Sequence, residues 1–200
     1  ERITEIVRSL RDFSHVGGAN LKRVDIHQGL ESTLTILGNK LKGKKNRPAI
    51  AIIRNYSDLP DVECYPGQLN QVFMNLLTNA IDALDEKWEL QETRSLPEEA
   101  PSFTPQIVLR TEMAEGDRIQ LHIADNGIGI PDHVQRRMLD PFFTTKPVGK
   151  GTGLGMSISY QIIVERHHGK LDCISIPGAY TKFLIDLPIY QTELPIPSAS

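Results

Sequence analysis

The chain has 200 residues, 40% of them hydrophobic and 24% charged, with a formal net charge of −3. That is the make-up of one globular domain with an appendage, large enough to bury a core. Charges of both signs are spread along it, which argues against nucleic acid or an anionic membrane surface as partner, and no apolar run approaches the roughly 20 residues of a membrane span.

The sequence opens at Glu1 inside a helical pattern, as a piece of a longer chain would. Ile3, Ile6, Leu10 and Phe13 mark an a/d seam over two heptads, stopped at Gly17-Gly18. Asp25 suits an N-cap with Gln28 three residues on. Ile26, Leu30, Leu34, Leu37 and Leu41 then form one apolar stripe, and Gly43 suits the helix C-terminus. Residues 49–53 read as a strand. Pro66 suits the first turn of a long helix, whose apolar face is Leu69, Val72, Phe73, Leu76, Leu77, Ala80 and Leu84.

From 87 to 105 the periodicity is lost and three prolines appear, which predicts a surface loop. Strands are expected at 107–113 and 119–124 around a Glu115-Gly116-Asp117 turn. A helix follows from Met156 to His168, then a hairpin of 171–176 with 183–187 around Pro177-Gly178. The tail after Pro188 is rich in Pro and Ser. Cys64 and Cys173 fall in strand-like stretches and read as buried free thiols of a reducing compartment, so a cytoplasmic module is expected. Strands grouped as hairpins with helices between them predict an α+β fold, a two-layer sandwich rather than a parallel doubly wound sheet.

Three features invite chemistry. Gln71, Asn75, Asn79 and Asp82 recur at i, i+4, i+8 and i+11 on the long helix. Asn is a poor helix former, so the stripe is either a solvated face or a set of amide oxygens for a hard cation such as Mg²⁺. Asp125-Asn126-Gly127-Ile128-Gly129 follows a strand directly. It is either an ordinary Asn-Gly turn or a carboxylate aimed at an exocyclic amine, with glycines that let a ligand approach. Gly149 to Gly155 holds four glycines just before a helix, either a flexible linker or an anion site built from backbone N–H groups.

In this order the segments resemble the N, G1, F and G2 boxes of the histidine-kinase catalytic domain, within the gyrase, chaperone, histidine-kinase and MutL superfamily. Gln71–Ala83 resembles the N box, Asp125–Gly129 G1, Pro141-Phe142-Phe143-Thr144-Thr145-Lys146 the F box, and Gly151-Thr152-Gly153-Leu154-Gly155 G2. The resemblance implies a Bergerat-type fold over residues 21–190, a mixed, mostly antiparallel sheet packed against helices. Residues 1–20 would be the remnant of a dimerisation helix and its linker, and 191–200 a tail.

It also implies roles. Asn79 would bind Mg²⁺ with Asn75 beside the phosphates, and Asp125 would read the adenine amine. Gly127 and Gly129 would line the base pocket, while Gly153, Leu154 and Gly155 would meet the phosphates of ATP, with Gly151 and Thr152 in the same box. Thr181 matches a family threonine near the nucleotide. Residues 130–152 would form a mobile lid anchored by Phe142 and Phe143, and Lys146 and Lys150 are candidate phosphate contacts. Asp82 stands where some members carry a basic residue, which puts a phosphate contact there in doubt.

The family's phosphoacceptor lies in an H-E-[LI]-[RKN]-x-P box, and none of the six histidines fits it. His15 is followed by Val16-Gly17, and His167-His168 at a helix end suggest a dipole interaction rather than a metal. The resemblance thus implies phosphoryl transfer to a histidine on a dimerisation domain of a homodimeric parent, and a response-regulator receiver domain as partner. In ATP-hydrolysing relatives a water-activating glutamate stands where this chain has Asn75, and an amide is no general base. Two alternatives stay open, an ATPase of the same superfamily and a non-catalytic nucleotide-binding module.

Overall fold

The computed structural model describes residues 20–44, 47–93, 103–146 and 153–191, with backbone alone at 92 and 93. The heptad-patterned segment, the tail from residue 192 on, Lys150, Gly151 and Thr152 lie outside them.

The strands are β1 (Lys22–Val24), β2 (Ala51–Tyr56), β3 (Val62–Cys64), β4 (Gln106–Ala114), β5 (Arg118–Asp125), β6 (Lys170–Ile176) and β7 (Tyr180–Pro188). The helices are α1 (Ile26–Leu41), α2 (Pro66–Thr93), α3 (Asp132–Gln135) and α4 (Gly155–Tyr160), the last continuing as a π-helical stretch, Gln161–Arg166. β1 and β3 form a small antiparallel pair, and the main sheet has the order β2-β4-β5-β7-β6. Only β2 breaks the antiparallel pattern, running parallel to β4 with Ala51 opposite Gln106.

The two layers follow from periodicity. Alternate residues of the central strands, Ile107 and Leu109, Ile119, Leu121 and Ile123, Phe183, Ile185 and Leu187, are buried on one face. The predicted stripes of α1 and α2 are buried with them, apart from Leu41 at the end of α1, which is only partly buried, as a two-layer core requires. The opposite face carries charge, with Arg118 paired to Asp186 and Glu112 to His122. Gly29 leaves room for α2 against α1, since a Cβ there would sit 2.6 Å from Asn70 Oδ1.

Several local expectations change. Asp25 does cap α1, but its carboxylate accepts from His27 N. The helix ends at an extended Lys42 rather than on a left-handed glycine at 43. The loop expected from residue 87 begins only after α2 has run on to Thr93. Glu86 to Gln91 are mostly good helix formers, Trp88 packs against Phe103, and Lys87 is tied to a neighbouring turn, so tertiary contacts hold a stretch without a clean apolar period.

The reading of His167 as a helix-dipole cation is corrected. The ring is fully buried; its Nε2 accepts from Tyr65 N at 3.0 Å, and Nδ1 lies 2.7 Å from the Ile162 carbonyl oxygen. A backbone N–H can only donate and a carbonyl only accept, so the ring is neutral with its proton on Nδ1. Burial lowers its pKa accordingly. Both cysteines are free, Cys64 buried but Cys173 only half-buried.

Candidate nucleotide site

The site grows from the end of β5. Asp125 is the last residue of that strand, 5% exposed, opposite Ile107 on one side and Thr181 on the other. Burial raises its carboxyl to about 7, against a lowering from the Gly127 N–H, 2.8 Å from Oδ1, and from the nearby Lys87 ammonium. A carboxyl kept out of water beside a strand end can accept one directional hydrogen bond from a ligand, and it discriminates because an unmade bond there is costly.

The two glycines after it are required by space. A Cβ on Gly127 would lie 2.8 Å from the Ala83 Cβ of α2. Gly129 has φ +68, and a Cβ there would lie 2.1 Å from the Ile176 carbonyl oxygen, so the turn is wedged between α2 and the β6–β7 hairpin. Three side chains that the sequence did not suggest fix it. Lys87 donates to the carbonyls of Asn126 and Gly127. Ser175 Oγ accepts from Ile130 N and lies 3.0 Å from Thr181 Oγ1. Gln135 of α3 donates to the carbonyls of Ile130 and Ser175. Lys87 was hidden by the expected loop; Ser175 and Gln135 carry no sequence signal.

The amide stripe of α2 divides into three parts. Gln71 is exposed. Asn75 donates to the Gly155 carbonyl at 3.0 Å and to Ser159 Oγ at 3.2 Å, which ties α2 to the start of α4. Asn79 and Asp82 both accept from Lys146 Nζ, at 3.1 and 2.6 Å. The structure therefore brings Lys146 onto the stripe, where the sequence placed it among phosphate contacts.

Phe143 is half-buried under the Arg137 guanidinium, 4.4 Å from the ring centroid. Phe142, expected as an apolar anchor, is corrected: its side chain is 76% exposed and its φ is +65. Its backbone does the packing, since a Cβ on Gly153, itself at φ +68, would fall 2.4 Å from the Phe142 carbonyl carbon. Leu154 precedes α4 as its N-terminal flanking residue.

The donor set of α2 fits a hard divalent cation. Its oxygens are an amide and a carboxylate, and a cationic group, the Lys146 ammonium, already sits against both. Among the described residues no group of three or more His, Cys, Asp or Glu could hold a metal. Mg²⁺ takes one or two protein ligands and completes its shell with phosphate and water, and this pair of oxygens is within that share.

Comparison with known proteins shows the family. Residues 64–191 match the family model described as histidine kinase-, DNA gyrase B-, and HSP90-like ATPase, and the chain belongs to that family. It is 36% identical over 188 residues to the sensor kinase CckA of Brucella abortus (strain 2308), covering 94% of this chain and 19% of that protein. It is 34% identical over 134 residues to sporulation kinase E of Bacillus subtilis (strain 168), covering 67% and 15%. The chain thus spans under a fifth of these relatives' length.

Among solved structures, the catalytic domain of histidine kinase ThkA superposes with a TM-score of 0.66 at 23% identity, over 85% of this chain and 96% of that one. Full-length ShkA in complex with AMPPNP gives 0.67 at 21% identity, over 98% and 38%. The fold is that of histidine-kinase catalytic domains. No helix among the described residues is long and apolar enough to cross a membrane.

Proposed function

We propose that this chain binds ATP with Mg²⁺ and delivers the γ-phosphoryl group to a histidine on a dimerisation domain of a homodimeric parent, which passes it to a response-regulator receiver domain. The observation that carries the reading is the buried Asp125 carboxylate, held at a strand end by a turn in which neither glycine has room for a side chain.

In this reading Asp125 accepts from the adenine amine, and Gly127, Gly129, Thr181 and Phe143 surround the nucleotide. Gly151 to Gly155, with Lys146 and Lys150, meet the phosphates. Asn79 is the metal ligand and Asn75 holds the phosphate side in place. Residues 21–190 form the catalytic module, 1–20 the end of a dimerisation helix with its linker, and 191–200 a tail; the module works in the cytoplasm.

When bound, Mg²⁺ supplies charge neutralisation at the phosphates. The protein contributes orientation and backbone donors, and it needs no base for water. Asn75 supports transfer over hydrolysis, because its amide is engaged with Gly155 and Ser159 and cannot take up a proton near neutral pH.

The test is to mix the chain with labelled ATP, Mg²⁺ and a dimerisation domain supplied in trans. Weak, acid-labile, base-stable label on that domain and none on this chain is expected. Untethered domains lose the millimolar-scale effective concentration that a linker gives. Fast hydrolysis with no protein label favours the ATPase reading, and acid-stable label would point to a hydroxyl acceptor. Asn79→Asp should remove most Mg-ATP binding; unchanged affinity by calorimetry ends the assignment of Asn79.

A further inference from the structure

We propose that Asn79 Oδ1 and Asp82 Oδ2 make one cation point, filled by the Lys146 ammonium and taken over by a divalent metal, with Asp82 as a second protein ligand beside Asn79. The inference rests on the nucleotide reading above and adds to it a residue and an exchange.

Asn79 and Asp82 are three residues apart on α2, so their side chains leave the same face of the helix. Lys146 Nζ stands 3.1 Å from one oxygen and 2.6 Å from the other. An ammonium is a compact point charge on a flexible stem, and its position marks where this pair of oxygens attracts a cation. An exposed lysine–carboxylate pair alone is a weak interaction. Here the ammonium also takes up a neutral amide oxygen that nothing in ion pairing demands.

Both donors are hard oxygens, and one carboxylate with one amide is within the small protein share that Mg²⁺ accepts. The same oxygens cannot serve both cations, because two positive charges a few ångströms apart repel strongly at a partly buried site. Metal arrival therefore expels Lys146 from α2. The expelled ammonium is then free to follow the negative charge that the nucleotide brings. Asp82 and Lys146 are each about a third exposed on the side chain, 39% and 32%, so neither oxygen nor lysine is locked in by packing.

Mn²⁺ is the probe, with free Mn²⁺ counted by electron paramagnetic resonance on the whole chain at saturating ADP. Wild type gives the reference affinity. Asp82→Asn should weaken Mn²⁺ binding about tenfold, the order expected when one unit of ligand charge is lost at a partly solvated site. Lys146→Met should tighten it several-fold, on the order expected when a competing charge is removed, and in the Asp82→Asn background that gain should vanish.

Unchanged or tighter Mn²⁺ binding in Asp82→Asn would show that Asp82 only anchors the lysine, and would overturn the proposal. Equal gains from Lys146→Met in both backgrounds would also overturn it, since the lysine would then act through general electrostatics. Failure of wild type to bind ADP at all is a different result and would sink the nucleotide reading itself.

Discussion

Lys87 Nζ sits 2.7 Å from the carbonyl oxygen of Asn126, and the same ammonium reaches the carbonyl of Gly127 at 3.1 Å. One turn of α2 thus holds the backbone that immediately follows Asp125. Burial lowers the lysine's pKa while Asp125 raises it, so the charge on each group favours the charge on the other. Lys87→Met keeps the length of the stem and removes the donors. It should cost about 1.5–3 kcal/mol of stability, the scale of charged hydrogen bonds, and weaken adenine-nucleotide binding. Urea denaturation and calorimetry on the same variant check the two effects separately.

The Asp125 carboxyl, raised to about 7 from an ordinary 3.8, makes both stability and binding depend on pH. The folded state holds the proton more tightly than the unfolded chain. Its stabilising contribution is complete below the unfolded value and is lost as pH rises through about 7. Asp125→Asn should therefore be more stable than wild type at pH 8, with the difference shrinking toward pH 5. Nucleotide affinity should run the other way in wild type, falling on acidification as the acceptor takes up its proton. Denaturation midpoints and nucleotide titrations at both pH values provide the check.

Gly129→Ala should lose about 3 kcal/mol, the sum of a left-handed backbone penalty and overpacking. Its added carbon would strike the Ile176 carbonyl. Gly116 is the control. It has φ +70, and a Cβ added there would meet nothing within 4 Å, so Gly116→Ala should cost about 1 kcal/mol, the backbone term alone. Thermal unfolding of the pair separates crowding from conformation.

His167→Ala should destabilise the chain by about 3 kcal/mol through a buried void and the stranded N–H of Tyr65. The wild-type ring is depressed below 6.5, so its contribution is present above that value and lost as pH falls through the folded pKa. The alanine variant should lack that part of the acid sensitivity. Stability curves between pH 5 and 8 for the two proteins test it.

The long elements were legible because burial imposes a period. Leu69 to Leu84 repeat every three or four residues, and every one of them is in the core. The strand pairs around Gly116 and Gly178 announced themselves through turn chemistry. Asp125, Gly127 and Gly129 were legible because an acid followed by glycines at a strand end has few structural uses. What escaped depended on partners distant in sequence. Helix α2 beyond residue 86 is held by Phe103 and by the turn at 126–127. The neutrality of His167 depends on Tyr65, 102 positions away. The three-residue β1 carries too little pattern to be seen without its partner β3.

The parallel edge strand bears on how the chain reaches this structure. The β4–β5 and β6–β7 hairpins close through short local turns, but β2 finds its partner only after β3, α2 and the following connection have been made. Long-range pairing of this kind delays assembly, since the entropy of closing the loop is lost before the contacts form. The antiparallel strands should therefore come together first in refolding, with β2 joining last. By the same logic its amides should exchange with solvent sooner than those of β5, which has neighbours on both sides.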